Sequence, residues 1–205
     1  MTETESGDRI AGGALIGAAA LSMLTMAHHP DSIAAGALIG IVHGVMILVV
    51  GIMTFGFAHF AGRQGLGRPA LLAGLVAYAI GALANIGAGT LNGFVAPAIA
   101  THQPALSHDL FDLVWAMNQA LARLGVVAVG VAYALWSLTL WRRHKVTALL
   151  GLVVGGVPAL LLIGGVIDMH LHPAIFVYAA QALWAVLIGW LLLGGRLESR
   201  QGDGN

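Results

Sequence analysis

Long apolar runs alternate with short polar turns six times along this chain. The runs extend from about Ile10 to Ala27, Ala35 to Phe60, Ala70 to Ala96, Leu113 to Leu140, Val146 to Ile167 and Ala174 to Gly194. A helix needs roughly 20 apolar residues to cross about 30 Å of hydrocarbon, so each run has the length of one span. None shows the period-two alternation of a spanning β-barrel. The pattern predicts an all-α integral membrane protein, a six-transmembrane-helix bundle over residues 1–197, with a disordered polar tail at residues 198–205. The first run lacks a positive n-region, being preceded by Glu3, Glu5 and Asp8 with only Arg9, and is read as a span rather than a signal peptide.

Composition agrees with this reading and narrows it. Of the 205 residues 59% are hydrophobic and 9% charged, and the mean hydropathy is +0.89. A soluble domain of this size has too little interior to hide that much apolar surface, so the bilayer is the expected partner. Cysteine is absent, which removes disulfides, thiolate metal sites and cysteine nucleophiles. No basic stripe suggests nucleic acid. Hydrolase and phosphate-loop motifs are missing as well: there is no Gly-x-Ser-x-Gly, no His-Glu-x-x-His and no glycine-rich loop ending in lysine.

The few charges are placed unevenly. Arg9, Arg63, Arg68, Arg142, Arg143, Lys145, Arg196 and Arg200 all fall on one side of a six-span chain, and Arg123 alone lies inside a run. The positive-inside rule makes that side cytoplasmic and puts both termini there. Trp136, Trp141 and Trp190 are expected as interfacial anchors near it. The expected location is a bacterial inner membrane, crossed several times, with the opposite face turned to the periplasm.

That opposite face gathers imidazoles and carboxylates. The turn Asp168-Met169-His170-Leu171-His172-Pro173 is the densest, and His28-His29-Pro30-Asp31 and the stretch from His102 to Asp109 resemble it. Seven of the nine histidines fall on this side once His43, just inside the second run, is counted. Histidines and aspartates without competing cations attract protons or divalent metal. The candidate ligands are His28, His29, His43, His108, Asp112, His170 and His172, with Asp31, Asp109 and Asp168 placed to orient them. His108 and Asp112 sit four apart, a spacing that offers two ligands to one ion, or an ordinary surface hydrogen bond.

Within the fourth run His108, Asp112, Trp115, Gln119 and Arg123 follow one helical face. A guanidinium near the bilayer centre costs at least about 2.5–3.5 kcal/mol, so Arg123 calls for a partner: Asn85, Gln119, a carbonyl, or the anionic end of a ligand. In the third run Tyr78, Asn85 and Asn92 are seven apart, and buried amides there usually join helices by hydrogen bonds. Gly13 and Gly17 form a small-xxx-small pair for close helix packing.

These residues suggest a membrane-embedded metal protein using copper or iron at a His/Asp cluster on the exoplasmic face, redox-active toward a quinol or lipid-like substrate. A b-type haem electron carrier is the alternative, with axial ligands from His43 and His108 or His170 and with Arg123 on a propionate. A metal- or proton-coupled carrier is less favoured because the inner halves of the runs are nearly apolar, and an assembly subunit is the bland alternative.

Overall fold

A computed structural model describes residues 2–30, 35–102 and 107–197. Asp31, Gln103, Pro104 and the tail expected at residues 198–205 lie outside them. Among the described residues all regular structure is helical, and six helices are long and apolar enough to cross a membrane. They are α1 (Glu3–Ala27), α2 (Ala37–Gln64), α3 (Pro69–Ala100), α4 (His108–Leu140), α5 (Lys145–Ile163) and α6 (Leu171–Leu193). Each packs on the next in sequence, and α6 returns to α1, so the six close into a ring.

The boundaries follow local chemistry. The acidic flank before the first apolar run is itself helical: Thr2 and Glu5 form a capping box that satisfies the first backbone donors of α1. Pro69 opens α3 at a position where its missing N–H costs nothing. Helix α5 ends at Ile163, short of the Ile167 that hydrophobicity predicts, because Gly164 caps it and Gly165 turns the chain at φ +67°.

Small residues set where helices touch. The expected pair Gly13 and Gly17 has open space where a Cβ would go. The close approach is one residue earlier: a Cβ on Gly12 would lie 2.6 Å from the Gly189 carbonyl oxygen, and one on Gly189 would lie 2.7 Å from that of Gly12, which locks α1 to α6. Gly130 and Gly155 make the equivalent contact between α4 and α5.

The terminal half of the ring is filled by aromatic rings. Phe57 packs against both Trp136 and Trp184, at centroid distances of 5.4 and 5.7 Å, the two indoles lie 6.2 Å from each other, and Tyr133 lies 4.2 Å from Trp184. Tyr78 and Phe60 complete the cluster. Trp136 is therefore core and not an interfacial anchor, with its indole N–H donating to the Leu71 carbonyl. Trp141 and Trp190 are exposed on the outside. Gly74 and Gly151 leave room for the two indoles, since a Cβ at either would overlap Trp136 or Trp184.

A clamp ties the termini to this end. The buried Asp8 carboxylate accepts from Arg63 Nε at 2.8 and 3.1 Å and pairs with His59 Nε2 at 2.8 Å. The Arg63 guanidinium also donates to the Leu197 carbonyl at 3.2 Å. The Asp8–Arg63 pair thus joins α1, α2 and the chain after α6.

Candidate functional site

The opposite half of the ring is hollow. A cavity of about 860 Å³ opens between the helices and runs down to Tyr78 and Tyr133, where the aromatic cluster closes it. Its wall is mostly apolar, with Met26, Met46 and Met53 among the flexible side chains. Polar groups converge at two levels: His29, His43, Asn92, His108 and His170 near the mouth, and Asn85, Tyr178 and Gln181 deeper in.

The mouth on the α2–α3 side is built by an irregular turn. Residues Leu91–Val95 wind as a π-helix inside α3. Pro97 follows them, and it can neither donate to the carbonyl four residues back nor pack its ring there, so the turn before it widens. The widening turns Asn92 and Gly93 toward α2. A Cβ on Gly93 would overlap His43, so glycine is what lets the two backbones approach.

His43 is buried on α2, and its Nδ1 is 2.8 Å from the Ile39 carbonyl. His29, beyond the end of α1, has its Nδ1 2.8 Å from the Pro30 carbonyl. A carbonyl only accepts, so in both rings Nδ1 carries the proton and Nε2 presents a lone pair. The two Nε2 atoms face each other at 3.2 Å, with the rings edge to face. The Asn92 amide nitrogen donates to His43 Nε2 at 3.2 Å. Burial pushes the His29 imidazole pKa below its ordinary value, and the Pro30 carbonyl partly offsets this.

The remaining sequence candidates are distributed around the rim. His108 and Asp112 line the mouth at 3.7 Å from each other, both highly exposed. His170 Nδ1 pairs with Asp168 at 2.6 Å, and the His170 backbone N–H donates to the same carboxylate at 3.0 Å. These bonds hold the Asp168 carboxyl below the usual carboxylate range, with a smaller pull from Arg123. His172 reaches the cavity from the first turn of α6. His28 is not part of the lining: it is exposed, with Nδ1 2.9 Å from the Leu24 carbonyl.

The expected seven-member His/Asp cluster is thus not assembled as one centre. Among the described residues no group of three or more His, Asp or Glu side chains converges as a metal cage. The ring geometry is the reason: the turns alternate around the circumference, so the cavity separates their side chains. Among the described residues His29 and His43 are the two histidines brought together from different turns.

Arg123 also departs from expectation. It is exposed on the outside of α4, away from the cavity, and the charge it acts on is Asp168. Fifteen residues beyond His108 the 100° step per residue has carried it about 60° from His108, past the edge of the polar face. Asn118 and Ala122 continue the lining instead. Gln119 and Asn85, the other two proposed ligand contacts, do face the cavity.

Two deeper polar groups lack partners among the described residues. Gln181 is 8% exposed, lines the cavity, and its Nε2 has no acceptor; Gln119 donates to the Met169 carbonyl at 3.4 Å but its Oε1 has no donor. Beside them Tyr178 donates to Asn85 Oδ1 at 3.3 Å. Composition hides these positions, because one amide in an apolar run reads as interhelical glue; Asn118, which does bond the Ala88 carbonyl at 2.8 Å, plays that part.

No family model matches this chain, and none of the curated proteins or solved structures matches it.

Proposed function

We propose that the protein is a binding site for an amphiphilic, quinol- or lipid-like molecule, which enters the bundle from the exoplasmic face of a bacterial inner membrane. The observation that carries this is the pairing of an apolar shaft with orphaned polar atoms: Gln181 Nε2 offers a donor and Gln119 Oε1 an acceptor into a cavity of about 860 Å³. Leaving a buried amide group unsatisfied costs about 1–3 kcal/mol, so a ligand whose head group offers both a hydrogen-bond donor and an acceptor, as hydroxyls do, is favoured there over a plain hydrocarbon. The methionine-lined wall adapts to an irregular apolar body. Binding is favoured over passage because the stacked floor of Phe57, Tyr133, Trp136 and Trp184 leaves no polar route toward the termini.

The orientation, with both termini cytoplasmic, is supported by the one-sided arginines and lysines. For redox chemistry by copper or iron, the paired imidazoles beside the cavity are the support. Haem b on His43 and His108 or His170 is less well served: His43 Nε2 is turned to His29 and Asn92, and Arg123, the expected propionate partner, lies outside the cavity.

The test is photolabelling of the purified chain with an isoprenyl quinol carrying a photoreactive group. Wild-type protein should be labelled on the cavity-facing parts of α3, α4 and α6. Gln181→Leu should weaken retention roughly tenfold by removing a group worth about 1–2 kcal/mol, while Leu160→Ala on the outer surface should leave it unchanged. Labelling confined to the outside of the ring, or equal in both variants, would overturn the reading.

A further inference from the structure

We propose that His29 and His43 form a chelating site for a divalent transition ion, copper(II) or zinc(II), with the Asn92 carboxamide as its neighbouring third group. The argument does not depend on the amphiphile. Both Nδ1 atoms are committed to carbonyl acceptors, Ile39 and Pro30, at 2.8 Å. Both Nε2 lone pairs therefore point into the same space, 3.2 Å apart. Two neutral acceptors at that distance repel, and what relieves the repulsion is an electron-pair acceptor between them. Nitrogens bound to a tetrahedral ion at about 2.0–2.1 Å lie roughly 3.3 Å from each other, which is the separation already present.

The surroundings complete the case. A metal-bound imidazole normally donates its other N–H to a carbonyl or carboxylate, which fixes its tautomer, and both rings do so here. The Asn92 carboxamide, now donating to His43 Nε2 at 3.2 Å, presents its oxygen instead when rotated by half a turn about its Cβ–Cγ bond. Among the described residues no lysine or arginine lines the cavity to compete with a cation. Imidazole nitrogen and amide oxygen together suit copper(II) and zinc(II).

Metal-stripped full-length protein in detergent, given one equivalent of copper(II) and no quinol, provides the test by electron paramagnetic resonance. The wild type should bind one ion with nitrogen splitting from two imidazoles. His29→Gln and His43→Gln should each remove one nitrogen from the pattern and weaken binding at least about tenfold. His108→Gln and His170→Gln should change neither. His29 lies outside the helices, so its variant isolates ligation from folding should His43→Gln prove unstable. A two-nitrogen signal surviving His29→Gln overturns the proposal. So does a wild type that binds no ion while ¹⁵N resonances show one proton shared between the two rings.

Discussion

His43 illustrates how a residue's chemistry is decided by what its backbone already holds. Its imidazole bonds the carbonyl one turn back, and the leftover nitrogen becomes the reactive one. Asp168 is governed in the same local way, because the bonds from His170 favour its ionised form. A carboxyl whose folded pKa is depressed contributes order that is fully present above its unfolded pKa and is lost as pH falls through the folded value. The turn between α5 and α6 should therefore keep the His170 amide protected from exchange through the ordinary carboxylate range and release it only in stronger acid. In Asp168→Asn the protection should be weaker and independent of pH over that range, and an unchanged acid transition would refute the assignment. Gly125 tests packing: its Cβ would overlap the Asn85 amide, so Gly125→Ala should cost about 1–3 kcal/mol in detergent thermal stability.

At the scale of elements, α3 carries the least regular feature and the one that matters most for the mouth. The π-turn Leu91–Val95 exists because Pro97 follows it, and it sets Asn92 against His43. Pro97→Ala restores a donor for the carbonyl four residues back, so the turn should tighten to α-helix. The expected result is loss of the Asn92–His43 contact, seen as a shift in the resonances of the His43 imidazole and its neighbour His29, with His108, His170 and His172 unmoved. Unaltered His43 signals would mean that packing against α2, where Phe94 meets Gly40 and Gly44, holds the turn by itself. Helix α4 shows a second element-scale effect: its polar stripe from His108 to Gln119 is real, but its drift around the helix sends Arg123 outward toward Asp168.

The whole molecule divides into a filled half and a hollow half, and the clamp at Asp8 holds the filled end closed. Asp8→Ala would leave Arg63 largely buried without its carboxylate, a loss of about 2–3 kcal/mol in stability. Arg63→Ala should lose a similar amount, and the double variant clearly less than the sum, because both remove one network. Additive losses in detergent thermal unfolding would show that the two act separately. Loss at this end should leave ligand retention in the far cavity nearly intact, since the aromatic cluster lies between them.

The number of spans, their approximate limits and the polar character of one face were legible in the chain, because hydrophobic length and the scarcity of charge are local properties. So were six of the cavity's polar residues, His29, His43, His108, Asp112, His170 and His172, which turn composition and spacing already marked. Tertiary structure alone decided which of them meet. Closure of α6 onto α1 spreads the turns around a ring, so a string of histidines became one facing pair and a dispersed rim. It likewise decided that Trp136 is floor, that Arg123 faces outward and that Gln181 is unpartnered inside. Periodicity specifies which residues share a face of one helix; which faces of different helices converge depends on packing across the ring, where a glycine such as Gly12 or Gly93 sets the approach.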